Sequence, residues 1–209
     1  MKTLALLSTL TLAGFGVASA QETSHFAFNI GAGFTNPVGS TGRYTDMGWN
    51  AGGGFGWNFN SRVGALIDLN YNQLGINSAV LGGYGVPGGD VHVFSATLDP
   101  IVHLAPHSKV DVYLTAGGGF YHRTQEFTAN GVSSAVGFNP FFGFYNYGVP
   151  TTFVLSSYSV NKPGIDAGMG IAFGSKWHGK FFAQAKYNRI FMTNGYHTDY
   201  VPVTFGFRW

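Results

Sequence analysis

The sequence predicts an all-β protein, an eight-stranded antiparallel up-and-down transmembrane β-barrel. Three observations carry that reading. Apolar residues recur at every second position in eight segments, the period of an extended chain and not of a helix. The connections between these segments alternate between short and long, as they must when every second turn of a barrel emerges at the same end. The 209 residues include 32 glycines and 17% aromatics. Only 10% are charged, against roughly 25% in soluble domains.

The first element is not a strand. Lys2 precedes the apolar run Leu4 to Val17, and Ala18-Ser19-Ala20 precedes Gln21, the layout of a secretory signal peptide. Residues 1–20 are therefore expected to be removed, leaving a barrel domain over 21–209. No later stretch approaches the ~18 to 20 uninterrupted apolar residues of a spanning helix. Without Lys2, ten basic residues stand against nine acidic ones, so no basic patch points to nucleic acid. The chain has no Cys, so disulfides do not stabilise it.

The strands follow in order. In 24–34, Phe26, Phe28, Ile30, Ala32 and Phe34 oppose Asn29, Gly31 and Gly33. In 47–59, Trp49, Ala51, Phe55, Trp57 and Phe59 oppose Asn50, Gly52, Gly54 and Gly56. Strand 63–73 sets Val63, Ala65, Ile67, Leu69 and Tyr71 against Asp68, Asn70 and Asn72, and strand 91–104 sets Phe94, Ala96, Leu98 and Val102 against Ser95, Thr97 and Asp99. In 110–122, Val110, Val112, Leu114 and Phe120 oppose Asp111, Tyr113 and Tyr121; in 165–174, Ile165, Ala167, Met169 and Ile171 oppose Asp166 and Gly168. Strand 181–191 divides Phe181, Ala183, Ala185 and Tyr187 from Gln184, Lys186 and Asn188. The last, 201–209, divides Val201, Val203, Phe205, Phe207 and Trp209 from Thr204, Gly206 and Arg208. Most reach the ~9 to 11 residues needed to cross a bilayer at a tilt.

Alternation alone also describes a soluble lipocalin-like carrier, whose apolar face lines the interior. The polar face decides. It carries Asp68, Asp99, Asp111, Asp166, Lys186 and Arg208 among many glycines, a sparse surface for water but a suitable filling for a narrow lumen in which charges pair. Aromatics near the strand ends, including Phe34, Trp49, Trp57, Tyr71, Phe120, Phe173, Tyr187 and Trp209, match girdles at two membrane interfaces.

With its eight alternating segments, its leader and its terminal Phe205-x-Phe207-x-Trp209, the chain resembles the bacterial outer-membrane β-barrels of the outer membrane protein A or X type. The resemblance covers essentially the whole of 21–209. It implies a Gram-negative outer membrane reached after export, lipid and lipopolysaccharide as surroundings, and recognition of the C-terminal strand by the barrel assembly machinery. Trp209 stands where that family usually has Phe.

Candidate chemistry is sparse. Gly83-Tyr84-Gly85-Val86-Pro87-Gly88 spells G-x-G-x-x-G, but a strand follows it, so no helix terminus is offered to a pyrophosphate. His103 and His107 flank a proline turn without metal-ligand geometry. No cofactor is expected. His122 and Arg189 fall on the outer face near the long-loop end, as a rim for lipid headgroups or lipopolysaccharide phosphates. Some relatives of the resembled family modify lipid A, and a Ser or Thr nucleophile with a His base and an acidic orienter is conceivable at that rim, where Tyr196-His197-Thr198-Asp199 lies in the last long loop, so a lipid-A-modifying enzyme is one alternative. A small ion or solute channel through the charged lumen is another. The segment 123–164 is too long for an ordinary loop. Its Phe141, Phe142, Phe144, Tyr145 and Tyr147 either stand out on an extended hairpin as a contact surface for an extracellular ligand, or pack on one another or plug the barrel mouth. The expected role is structural or surface-interacting and non-enzymatic.

Overall fold

The computed structural model describes residues 25–106, 108–175 and 179–209; the expected signal peptide and His107 lie outside them. Strands β1 (Phe26–Pro37), β2 (Thr45–Asn58), β3 (Val63–Ile76), β4 (Gly88–His103), β5 (Val110–Asn139), β6 (Gly143–Ser175), β7 (Gly179–Phe191) and β8 (His197–Arg208) form one closed ring in chain order. Every neighbouring pair is antiparallel, including β1 with β8. The seam runs from Asn29↔Arg208 to Pro37↔Tyr200. Trp209 extends it, because its N–H donates to the Phe28 carbonyl at 2.8 Å and its carbonyl accepts from the Phe28 N–H at 3.1 Å. Closure leaves no strand edge facing the hydrocarbon, where an unpaired peptide group costs several kcal/mol.

The wall is inside-out relative to a soluble protein. Phe26, Ile67, Leu114 and Phe205 point outward with 47%, 51%, 44% and 52% of their surface exposed, whereas Asp68 is 7% exposed and turned into the lumen. A lipocalin-like carrier would show the reverse. Near the short-turn end the outward aromatics form a row, with ring centroids of Phe181 and Phe207 3.9 Å apart and those of Phe207 and Trp209 6.0 Å apart. Near the long-loop end Trp49 lies 5.3 Å from Tyr71, and its indole N–H donates to the Gln73 amide oxygen at 2.9 Å. An aromatic body with a hydrogen-bonded polar tip suits a membrane interface.

Glycine allows the narrow interior. At Gly33 an added Cβ would fall on the carbonyl oxygen of Val203 across the seam, and at Gly206 on that of Ile30. The lumen is also less uniformly polar than the alternation suggests. Towards the long-loop end Leu74, Ile76, Leu81, Val91, Val93, Tyr121, Ile190 and Tyr200 are buried together.

Two connections differ from expectation. Within 74–90, β3 and β4 extend further than read from the sequence, and a short helix, α1 (Ser78–Tyr84), crosses the mouth. Asn77 caps it by accepting the Ala79 N–H at 2.9 Å, and Gly85 ends it in a left-handed conformation. The other is the former loop 123–164, most of which is strand. Beyond Gly88↔Thr128, its last pair with β4, β5 pairs only with β6 out to Asn139↔Gly143. That two-stranded ribbon projects roughly 35–40 Å at ~3.4 Å per residue. A register shift at Phe127/Thr128 marks where it leaves the barrel, and such bulges bend and twist a strand.

Replacing Gly33 by Leu is expected to block seam closure. The heat-modifiable band that marks a folded barrel on an unheated denaturing gel should be largely lost, while Leu at the outward Ala32 should leave it intact; equal folded fractions would contradict this account of the seam.

Candidate functional site

The six lumen charges do not form one cluster. Lys186 is the hub of the first group: its Nζ lies 2.6 Å from Asp99 Oδ2, 3.1 Å from Asp68 Oδ2 and 3.2 Å from Asp166 Oδ1. The Asp99 and Asp68 contacts are hydrogen bonds, whereas Asp166 Oδ1 sits in ion-pair range without hydrogen-bond alignment. Four strands, β3, β4, β6 and β7, are tied across the barrel by this one ammonium group. Thr97 donates to Asp99 Oδ2 at 3.1 Å, and the Tyr121 hydroxyl, with one proton to donate, lies 3.3 Å from Asp166 Oδ2 and 3.1 Å from Asn188 Oδ1.

The second group lies towards the short-turn end. His103 Nδ1 meets Asp111 Oδ2 at 2.5 Å, and Lys180 Nζ stands 3.9 Å from the same oxygen. Arg208 holds its guanidinium 5.4 Å from the centre of the Tyr113 ring, and the Tyr113 hydroxyl donates to Gln184 Oε1 at 2.9 Å. Between the two groups a void of about 20 Å³ is lined by Asn29, Asp68, Asn70 and Gln184, room for about one water molecule.

At the rim, Arg189 is already engaged: its Nε and Nη2 donate to Asp199 Oδ1 and Oδ2 at 2.9 and 3.1 Å, and its guanidinium lies over the Tyr187 ring. His122 sits in a chain of side chains. Its Nδ1 is 2.6 Å from Asn161 Oδ1, its Nε2 is 3.2 Å from Thr124 Oγ1, and Thr124 Oγ1 is 2.8 Å from Ser159 Oγ. If Nδ1 donates to Asn161, Nε2 is free to accept from the Thr124 hydroxyl. Sequence alone does not pair Asn161 or Asp199 with these rim residues, because only the β5–β6 and β7–β8 registers, His122↔Asn161 and Arg189↔Asp199, set them opposite their partners.

The ribbon carries the long-segment aromatics outward. Phe141 and Phe142 at the tip are 89% and 84% exposed. Phe138 pairs with Phe144 at 5.1 Å and Tyr145 with Tyr147 at 5.8 Å. The plug alternative is not what the fold adopts, since the ribbon carries these rings away from the wall and α1 crosses the mouth instead. From Phe127, at the foot of the ribbon, through to Asn161 the chain contains no Asp, Glu, Lys, Arg or His.

Comparison with solved structures agrees with this architecture. Neisserial surface protein A matches with a TM-score of 0.55 at 15% identity, over 90% of this chain and 98% of that one. The fold is that of the eight-stranded outer-membrane barrels. Ail, the attachment invasion locus protein of Yersinia pestis, was solved with the heparin analogue sucrose octasulfate and matches with a TM-score of 0.47 at 17% identity, over 88% of this chain and 99% of that one. The outer membrane protein OprG of Pseudomonas aeruginosa matches with a TM-score of 0.45 at 12% identity, over 88% and 95%. No family model matches the sequence, and no curated protein does.

Exchanging Lys186 for Met leaves three buried carboxylates without their cation. Removal of one partner from a buried ion network costs about 3 kcal/mol or more. Urea unfolding in lipid vesicles should show a loss of that order, and an unchanged midpoint would refute the role of Lys186 as the hub.

Proposed function

We propose that the chain is a non-enzymatic barrel of a Gram-negative outer membrane whose β5–β6 ribbon is a contact surface for an extracellular partner. One observation carries the reading: a paired ribbon extends far past the wall and displays exposed, uncharged aromatics from Phe138 to Tyr147. Exposed apolar patches of this kind mark interaction sites. The ribbon also differs from a disordered loop, because its backbone is hydrogen-bonded along its length and so loses less entropy on binding.

The remaining parts of the proposal concern surroundings and biogenesis. Outer-membrane lipid and lipopolysaccharide surround the wall, with His122 and Arg189 facing headgroups at the rim, although Asp199 already occupies much of the Arg189 guanidinium. Phe205, Phe207 and Trp209 serve as the assembly signal on the closing strand. Lys186 is held among three carboxylates in the lumen, which favours a structural role for its charges over conduction.

Excising 130–152 and joining the paired residues Ala129 and Phe153 through Asn-Gly, a favoured two-residue hairpin turn, removes most of the ribbon and keeps the barrel. Bacteria displaying this variant are expected to lose most of the adhesion to host-cell layers or matrix that the full chain confers. Undiminished adhesion with a heat-modifiable barrel would contradict the proposal.

A second reading, an acyl-transfer or acyl-hydrolysis enzyme at the rim, is favoured by one observation, the Asn161–His122–Thr124–Ser159 chain. It has the orienter, base and hydroxyl that such chemistry uses. The non-enzymatic proposal predicts identical lipid A acylation, by mass spectrometry, with wild-type protein, with His122→Ala and with no protein. Loss of an acyl chain that depends on His122 would establish the enzyme instead.

A further inference from the structure

Above Tyr121 and Tyr200 the barrel mouth forms an open-sided cleft of about 410 Å³, within the ~300–1,000 Å³ range of small-ligand sites. Ile76 of β3, Val80 of α1, Val91 of β4 and Phe127 of β5 give it an apolar wall, while Tyr44 and Tyr84 flank it and Arg123 and Gln125 enter from β5. The wall is fixed before any ligand arrives. Leu81 anchors α1 in the buried cluster, Val80 and Phe127 pack against that cluster, and the Val86 N–H donates back to the Leu81 carbonyl at 3.0 Å.

Arg123 is the unusual member. Its Nη2 donates to Gln125 Oε1 at 3.1 Å, but its Nε is shielded from solvent and has no hydrogen-bond partner. Among the described residues no carboxylate lies in ion-pair range of it. Acidic residues on neighbouring stretches are engaged elsewhere: Glu126 with His92 and Ser157, Asp90 with Gln73, Asp46 with Asn77. Half-buried and facing the mouth, Arg123 has no counter-charge of its own among the described residues. That is the mark of a cation short of an anion. A half-buried guanidinium whose shielded Nε has no partner is a costly arrangement to keep without a use.

We infer that the mouth cavity binds a single-chain anionic amphiphile, with a carboxylate or phosphate head on the Arg123 guanidinium and an alkyl tail along Ile76, Val80, Val91 and Phe127. The guanidinium supplies planar donors suited to either head, and the aliphatic wall supplies the burial that the tail requires. A short organic anion lacks the second contribution, and a neutral alcohol of equal length lacks the first. This site is separate from the ribbon, and neither depends on the other.

The test uses the full mature chain in lipid nanodiscs, with laurate, dodecyl phosphate, dodecanol and acetate as probes in titration calorimetry against empty discs. Saturable one-to-one binding of laurate or dodecyl phosphate is expected, with dodecanol and acetate weaker by about tenfold or more. Arg123→Gln should weaken laurate by about the same factor, and Val80→Trp should abolish binding by filling the tail space. Should Arg123→Gln fail to fold, the comparison of laurate with dodecanol on the wild-type chain still reads the charge. Native mass spectrometry of protein extracted from outer membranes separates the two sources: an adduct present before laurate is added identifies a membrane lipid, and one formed only after addition identifies an amphiphile from the medium. No saturable binding, equal binding of laurate and dodecanol, or equal affinity of the wild-type chain and a folded Arg123→Gln variant would overturn the inference.

Discussion

Hydrocarbon offers no hydrogen bonds, and this constraint organises the rest of the molecule. Every peptide group in the bilayer must find its partner within the chain, so the ring has to close and β8 has to meet β1. Closure then fixes other features. The seam brings backbones together where Gly33 and Gly206 leave no room for a Cβ, and Trp209 completes the pairing with Phe28. The period of two turns every other side chain towards lipid, so the same strand that shows Phe205 and Phe207 outside must place Arg208 inside.

What fills the interior follows from that division. Charges that could not face acyl chains are gathered where they can pair, and Lys186 binds carboxylates from three other strands into one network. Such a network is not a large source of net stability by itself, because burying ions is costly. Its value lies in geometry: one ammonium in contact with Asp68, Asp99 and Asp166 sets the relative positions of strands that are not all neighbours. Towards the mouth the lumen changes character, from this polar layer to a packed aliphatic layer beneath α1. The cavity holding Arg123 sits at that change.

The alternation was legible because a one-residue slip would reverse both faces of a strand. Hence all eight strands, and the inward placement of Asp68, Asp99, Asp111, Asp166 and Lys186, follow from the sequence. The less visible features depend on pairing between distant segments. Nothing local brings Asp199 to Arg189, Asn161 to His122 or Lys186 to Asp68; strand register does. Helix α1 was missed because Ser-Ala-Val-Leu-Gly-Gly-Tyr spans fewer than two turns and holds two glycines, which helices disfavour. The extent of the ribbon was hidden because residues 123–164 mix polar and aromatic residues without the strict alternation that the bilayer imposes on the wall.

The orientation of the wall is the claim on which the rest stands. With no native Cys, single cysteines can be placed along β5 at Val112, Tyr113, Leu114 and Thr115, labelled with a small environment-sensitive fluorophore and reconstituted into bilayers containing brominated lipid. Quenching should alternate, strong at 112 and 114 and weak at 113 and 115. Uniform quenching, or an alternation of the opposite sense, would contradict a barrel whose apolar face meets the lipid.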